Sequence, residues 1–154
     1  MPTKEKENDY LIHKRELGEL FDSKYALNIN LWRGQKAEDK SNPPLYPILK
    51  SFKLSNGRVR KKDIRTYTKN GELWIDCKSG GVSLFDVLGV PNKKWEYYKL
   101  PAGAIIPFGL VITKDEFNDL HRATHYSIRA NWDMPLTKFL MLLDELAAQL
   151  IFEK

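Results

Sequence analysis

A pair of glycines precedes a short apolar segment that carries one hydroxyl group, in residues 80–86 (GGVSLFD). Glycine allows a backbone to turn sharply or to come close to a ligand, and the residues after the pair are typical of a strand. Two interpretations are open. Either Ser83 is presented in a cleft as a binding or catalytic hydroxyl, or the glycines form an ordinary turn and Ser83 is a small residue on a pleated face.

A second polar group lies in residues 124–129 (THYSIR). In a strand, His125, Ser127 and Arg129 share one face, which looks into a cleft or into water, while the apolar residues between them face the core. A purely structural His125 is the alternative. His121 lies four residues earlier, so a helix would aim both imidazoles at one metal ion, but the β-prone residues oppose a helix and no third ligand is evident. No metal site is predicted.

Arg33 ends a segment, residues 27–33 (LNINLWR), in which apolar and polar residues alternate. This period is that of a half-buried strand, and it places Arg33 on the same face as Leu31. A guanidinium that points into a cleft needs an anion, and its planar fork fits a carboxylate or a phosphate pair. A structural salt bridge is the alternative.

The positive charge of the chain is concentrated in residues 50–69. Eight basic residues stand there against the single acid Asp63, so the segment carries +7 and the rest of the chain −2, for a total of +5. A solvated loop or hairpin accounts for this pattern. Alternatively, the patch attracts phosphate-bearing ligands, nucleic acid or an acidic protein.

The composition of the 154 residues, 42% hydrophobic and 29% charged, is typical of one globular domain. We expect a mobile polar tail over residues 1–8 and a single folded domain over residues 9–154. The chain has no run of eighteen apolar residues and a charged N-terminus, so neither membrane insertion nor a signal peptide is predicted. The lone Cys77 excludes an internal disulfide framework and suits a reducing compartment.

Several elements are predicted to hold these groups in place. Asn70-Gly71 between two β-prone runs predicts a hairpin, and apolar residues at steps of three and four predict a C-terminal helix with Asp133 as its cap. Further predictions are a short helix with apolar residues from Tyr10 to Phe21, a polar loop over residues 35–45, a strand turning into a short helix over residues 82–88, strands over residues 95–100 and 110–113, and a helical turn over residues 115–120.

Three separated motifs resemble the type VI secretion effector toxins of the "type six exported effector two" family: residues 80–86 (GGVSLFD), 100–110 (LPAGAIIPFGL) and 123–128 (ATHYSI). Their order and spacing agree with the family, as does the strand at residues 31–33 (LWR). The resemblance extends from about Leu27 to Leu150. It implies an α+β, ADP-ribosyltransferase-like fold, in which two facing, strongly bent, mostly antiparallel sheets enclose a nucleotide cleft and helices flank them, including a long C-terminal helix.

The resemblance also implies an activity and partners. Such a protein is an antibacterial, cytotoxic effector that is cytoplasmic in the producer, leaves through the secretion apparatus and acts in the cytoplasm of a target cell. NAD is its substrate, used for ADP-ribosyl transfer to a protein or nucleic-acid target or for NAD hydrolysis. A dedicated immunity protein covers the cleft. The alternative function is that of a basic, non-catalytic binding module for nucleic acid or an acidic protein.

Carried over by position, the family's motifs assign roles to four residues, Arg33, Arg60, Ser83 and His125. Arg33 and Arg60 would hold the NAD pyrophosphate, and Ser83 would hydrogen-bond the nicotinamide ribose or amide. Ser83 and His125 are the expected catalytic residues. His125, or a hydroxyl such as that of Tyr67 or Ser127, would orient the ribose, and Tyr67 is an expected NAD-binding residue.

The chain departs from the family at one position, because Val82 stands where the family can have threonine. Transferases of this kind usually stabilise the positive charge that develops on the ribose with a glutamate. No glutamate stands out in the motifs, and Glu72 and Glu116 are candidates without an assigned place.

Overall fold

The computed structural model describes residues 9–36 and 43–153. Within them the protein is mostly β, all paired strands are antiparallel, and the two helices have only 8 and 12 residues. The elements are α1 Asp9–Glu16, β1 Leu20–Phe21, β2 Leu31–Gln35, β3 Phe52–Lys53, β4 Val59–Arg60, β5 Thr66–Lys69, β6 Glu72–Ile75, β7 Val82–Phe85, β8 Glu96–Leu100, β9 Leu110–Asn118, β10 Ala123–Ala130, β11 Met134–Pro135, α2 Leu136–Ala147 and β12 Ile151–Glu153.

The described strands form three sheets, where the resemblance implied two. The largest has seven strands in the order β1-β9-β10-β7-β2-β8-β12, and the others are β11-β6-β5 and the hairpin β3-β4. Strands β7 and β10, which carry the two polar motifs, are neighbours in the large sheet, and β2 lies on the other side of β7. This order brings together residues that are far apart in sequence.

The predicted C-terminal helix is confirmed, although it is shorter than its apolar pattern. Its buried face consists of Phe139, Leu142, Leu143 and Leu146, which belong to the main core, and the helix contacts β6 and β11. After Ala147 the chain leaves the helix and adds β12 to β8. The predicted cap is wrong: Pro135 occupies the N-cap without a side-chain cap bond.

The predicted Asn70-Gly71 hairpin is confirmed as the turn between β5 and β6. Both turn residues have positive φ, 52° at Asn70 and 76° at Gly71, as a two-residue hairpin turn requires. Local turn chemistry is strong enough here to determine the structure.

Other predicted boundaries are wrong because partners distant in sequence decide them. The N-terminal helix ends at Glu16, and Leu20 and Phe21 instead pair with β9. Strand β2 begins at Leu31, which lies opposite Leu100, the last residue of β8. Pro101 follows Leu100 and has no N–H, so it cannot extend the ladder between the two strands.

Two predicted helical segments are also extended or irregular. Residues 115–118 continue β9, since residues 116–118 pair with the start of β10, and residues 86–88 form a bend and turn instead of a helix. The predicted tail, residues 1–8, lies outside the described residues, as do residues 37–42 of the predicted loop. Neither described helix is long and apolar enough to cross a membrane.

Candidate active site

The antiparallel pairing of β7 with β10 brings the two polar motifs into contact. Ser83 lies opposite Ser127, and Phe85 lies opposite His125. The side chains of Val82 and Leu84 are fully buried on one face of β7, so the strand alternation turns Ser83 to the other face, where it lines a cavity of about 490 Å³. Of the two interpretations of Ser83, the structure favours the presented hydroxyl.

The Ser83 hydroxyl forms a hydrogen bond with the His125 imidazole. The distance between Ser83 Oγ and His125 Nε2 is 2.9 Å. The Phe85 ring meets the His125 ring edge-on at 5.3 Å between centroids, and this contact restricts rotation of the imidazole. A hydroxyl and an imidazole in hydrogen-bond contact are the basic arrangement for proton transfer.

The other imidazole nitrogen contacts a carboxylate that the sequence did not reveal. His125 Nδ1 is 3.0 Å from Asp115 Oδ2. A β-bulge causes this placement: His125 pairs with Glu116 and Tyr126 with Lys114, so Asp115 is an extra residue on β9. The bulge brings Asp115 and Glu116 to the His125 face. No sequence signal marked the bulge, and residues 115–120 were instead predicted to form a helical turn.

Asp115 is an ionised carboxylate held by several donors. Burial by itself raises the pKa of Asp115, but hydrogen bonds from His125, Ser127 and Tyr10, together with the Arg129 charge, lower that pKa to well below its ordinary value. The contact also affects Tyr10, because burial and the hydrogen bond to Asp115 raise the pKa of the Tyr10 hydroxyl. Asp115 therefore accepts hydrogen bonds and does not donate them at neutral pH.

The cavity at Ser83 contains both charges and exposed backbone. Its cations are Lys62 and Arg129, and the Gly80-Gly81 backbone forms part of its wall. Glu116 lines this cavity and also the adjoining one of about 360 Å³ beyond His125, which also contains Phe85 and Phe117. A third cavity of about 310 Å³ continues past Gly80 to Cys77 and Lys78. Together these three cavities form what we call the Ser83 groove.

Arg33 lies next to Ser83 and contacts the backbone of that residue instead of its hydroxyl group. Arg33 Nη1 donates to the Ser83 carbonyl oxygen at 3.0 Å, and Nε donates to the Pro44 carbonyl oxygen at 2.9 Å. Burial lowers the pKa of Arg33, while the nearby Asp63 opposes the shift and Arg60 adds to it. The guanidinium therefore ties β2 to β7 directly beneath the candidate serine.

Arg60 lies just outside the Ser83 groove, in contact with Asp63, which lines it. Its guanidinium contacts Asp63 Oδ1 at 3.1 Å and the Lys61 carbonyl oxygen at 2.7 Å, and 40% of its side chain is exposed. Asp63 also accepts a hydrogen bond from the Ile48 N–H and lines the groove with Lys62. Arg60 thus supports the segment that supplies one of the groove's cations.

Tyr67 and Glu72 lie in the β5–β6 hairpin and are not part of the Ser83 and His125 group. The Tyr67 hydroxyl donates to Asp133 Oδ2 at 2.6 Å, and Asp133 Oδ1 accepts from the Cys77 N–H at 2.9 Å. Asp133 thus joins the hairpin to the chain before α2. Glu72 is exposed opposite Lys69.

A larger cavity of about 780 Å³ is lined by four aromatic side chains, Tyr25, Trp74, Phe108 and Trp132, together with polar residues. It shares no lining residue with the cavity at Ser83 and contains no pair of a hydroxyl and an imidazole. Proton-transfer chemistry is available at Ser83 and His125, so we place the candidate active site there despite the smaller volume. Within residues 9–36 and 43–153, no group of three His, Cys, Asp or Glu side chains is placed to hold a metal ion.

Comparison with protein-family models gives the class of the protein. Residues 10–154 match a model described as Tse2 ADP-ribosyltransferase toxin, so the protein is a toxin of the ADP-ribosyltransferase class. More narrowly, the chain belongs to the Tse2 ADP-ribosyltransferase toxin family, which confirms the resemblance seen in the three motifs. An ADP-ribosyltransferase-like fold and NAD as the substrate are implied by this membership. A search of curated proteins finds no match.

The two glycines before Ser83 are required by close backbone contacts. Gly80 has φ of 138°, and a Cβ there would overlap the Asp63 carbonyl oxygen, whereas a Cβ on Gly81 would overlap the Ile128 carbonyl oxygen. We expect Gly81→Ala to lower the free energy of unfolding by about 1–3 kcal/mol and to reduce activity, because β7 must move away from β10. Thermal unfolding and an NAD turnover assay measure both effects.

Gly57→Ala is the control, because Gly57 has a φ of 84° and open space around it, so an added Cβ meets no other atom. That change carries only the backbone cost of about 1 kcal/mol and leaves activity at the wild-type level. A Gly81→Ala protein with wild-type stability and activity would show that β7 and β10 do not approach this closely.

Proposed function

We propose that the protein is a cytotoxic effector that binds NAD in the Ser83 groove and breaks the bond between nicotinamide and ribose. The ADP-ribose is transferred to an intracellular target or to water. The 2.9 Å contact between Ser83 Oγ and His125 Nε2, in a chain of the Tse2 family, is the observation that supports this proposal.

The groove is lined by both cations and acids, and its cations are the proposed contacts for the pyrophosphate of NAD. Lys62 and Arg129 can attract the pyrophosphate, and Arg60 just outside the groove is a further candidate for this contact. Arg33 was predicted from the sequence to bind the pyrophosphate, and we propose that it contributes by holding the backbone of Ser83 in place. Tyr67 was predicted from the sequence to bind NAD, but its hydroxyl contacts Asp133, which lines the other cavity, and we assign it no contact in the Ser83 groove.

The reaction needs stabilisation of positive charge and transfer of one proton. When the C1′–N bond breaks, its electron pair leaves with nicotinamide and the ribose becomes positively charged. Ser83 and His125 are proposed to orient the ribose, and the exposed Glu116, opposite His125 in the sheet, is the proposed carboxylate. Since Ser83 keeps its own hydroxyl contact, Val82 in place of threonine is compatible with activity.

The biological setting of this activity is also part of the proposal. The protein would be exported by a type VI secretion apparatus, act in the cytoplasm of a competing bacterium and be neutralised by an immunity protein that covers the groove. The target that receives ADP-ribose would be a protein or a nucleic acid.

Incubation of the purified protein with NAD tests the activity. If the reaction is transfer, we expect free nicotinamide and a labelled macromolecule when cell extract is added. If the reaction is hydrolysis, we expect free nicotinamide without any extract. Ser83→Ala protein, prepared in parallel, should release no nicotinamide above background. Absence of turnover by the wild-type protein under both conditions would reject the proposal.

A binding function is the second candidate, and the exposed basic residues of the β3–β4 region favour it. Lys50, Lys53, Arg58, Lys61, Lys62, Arg65 and Lys69 are all exposed. On this hypothesis the protein binds double-stranded DNA with an affinity that falls steeply as salt increases.

We expect replacement of Arg60, Lys61 and Lys62 by alanine to weaken such binding and to reduce its salt slope by about 1 for each phosphate that is no longer neutralised. Ser83→Ala serves as the control, since it leaves the patch intact. Fluorescence anisotropy over a salt series measures both. Binding that does not depend on salt, or that the triple replacement leaves unchanged, would exclude the patch as a nucleic-acid site.

A further inference from the structure

Asp115 is a partly buried carboxylate in the Ser83 groove that the proposed function leaves without a role. It lies on the β9 bulge, and 12% of its side chain is exposed. Two roles are conceivable for it: direct contact with the ribose of NAD, or control of His125. The contacts of its two oxygen atoms distinguish between them.

Both oxygens of Asp115 are fully engaged by protein donors. Oδ1 accepts from the Tyr10 hydroxyl at 2.5 Å and the Thr113 hydroxyl at 2.8 Å, and Arg129 Nη2 is 3.5 Å away. Oδ2 accepts from the Ser127 hydroxyl at 2.5 Å, with His125 Nδ1 at 3.0 Å. A carboxylate has about four lone-pair sites, and these five donors leave none for a substrate.

The contact with His125 determines which imidazole nitrogen carries the proton. An ionised carboxylate can only accept, so Nδ1 must carry the hydrogen that points to Asp115 Oδ2. In the neutral ring Nε2 then has a free lone pair, and the Ser83 hydroxyl at 2.9 Å donates to it. The edge-on Phe85 ring keeps the imidazole in this orientation.

We propose that Asp115 is a positioning residue that sets the tautomer of the neutral His125 ring, with the hydrogen on Nδ1 and Nε2 directed at Ser83 Oγ as the base of the reaction. This inference rests on the proposed function for its chemistry, but its geometry is independent of NAD. Asp115 touches neither substrate nor reacting atoms. It acts through His125.

The proton balance of the reaction follows from this arrangement. The bond between ribose C1′ and the nicotinamide nitrogen breaks, and its electron pair leaves with nicotinamide. A bond forms between C1′ and the oxygen of the attacking water or acceptor hydroxyl. The proton of that oxygen passes to His125 Nε2, either directly or through Ser83 Oγ, and the resulting imidazolium is stabilised by Asp115.

Nitrogen NMR of the histidine rings tests the tautomer without any substrate. The chain has three histidines, and the His125 signals are assigned by their disappearance in a His125→Ala protein. We expect wild-type His125 near neutral pH to carry its proton on Nδ1. Asp115→Asn should abolish this preference, whereas Glu145→Gln, an exposed change on α2, should leave it intact. A wild-type His125 that is mainly protonated on Nε2 would overturn the proposal.

Kinetics provide the second measurement. Asp115→Asn is expected to lower kcat for nicotinamide release by about 10²- to 10⁴-fold with little change in KM, because the base is misdirected while the NAD contacts persist. Asp115→Glu, which keeps the charge, should recover part of the Nδ1–H signal and of kcat. An unchanged kcat in a folded Asp115→Asn protein would overturn the proposal.

The two experiments separate failure of this inference from failure of the proposed function. If the wild-type protein releases no nicotinamide, the proposed NAD chemistry is wrong, yet the NMR measurement still decides whether Asp115 sets the tautomer. If the Asp115→Asn protein does not fold, the tautomer of His125 in the wild-type protein decides whether the proposal stands. That measurement needs no Asp115 variant.

Discussion

Ser83→Ala is expected to abolish toxicity and NAD turnover while the protein keeps its fold. The change removes one oxygen atom, which is hydrogen-bonded to His125 Nε2, and leaves the buried neighbours Val82 and Leu84 in place. Loss of a positioned proton-transfer group lowers rates by about 10²- to 10⁴-fold. Growth of cells that express the variant, together with nicotinamide release by the purified protein, measures the effect.

Ser55→Ala is the matched control for this prediction, because Ser55 is exposed in the turn between β3 and β4, outside the Ser83 groove. It should remain as toxic as the wild type, and circular dichroism should show both variants folded. A folded Ser83→Ala protein that still kills cells would remove Ser83 from the mechanism.

Arg33→Ala is expected to lower the free energy of unfolding by about 3–6 kcal/mol. The guanidinium donates to the carbonyl oxygens of Pro44 and Ser83, and hydrogen bonds from charged donors contribute about 1.5–3 kcal/mol each. Its removal takes a donor from both carbonyls and loosens β7 beneath the reactive hydroxyl. Urea unfolding measures the stability, and NAD turnover measures the effect on the site.

This measurement also separates the two sequence-based interpretations of Arg33. A residue that only binds pyrophosphate would, when replaced, raise KM for NAD and leave stability unchanged. Arg58→Ala, in an exposed turn, is the control and should change stability by no more than about 0.5 kcal/mol. Wild-type stability in the Arg33→Ala protein would contradict the structural role that its contacts indicate.

Local patterns in the sequence were sufficient to predict several elements. Asn70-Gly71 predicts its hairpin, because only residues that tolerate positive φ fit that turn. Apolar residues at steps of three and four predict α2, and alternation predicts which face of β10 is buried. Each of these signals acts within a few residues, so the amino acids themselves carry the information.

Other features depend on contacts between distant segments and could not be predicted. Asp133 has the type and position of a helix cap, yet it accepts hydrogen bonds from Tyr67 and Cys77, 66 and 56 residues away. Glu116 had no assigned place until the bulge on β9 put it opposite His125. Propensity describes neither pairing nor register, and these decide which polar groups meet.

The sequence by itself determined the family and the polar face of β10, because motif order and strand alternation are written in consecutive residues. Only the tertiary structure decided that Ser83 Oγ contacts His125 Nε2 and that Asp115 contacts Nδ1. The first contact requires the register between β7 and β10, and the second requires a one-residue bulge in β9. Both are set by backbone hydrogen bonds between segments that lie far apart in the chain.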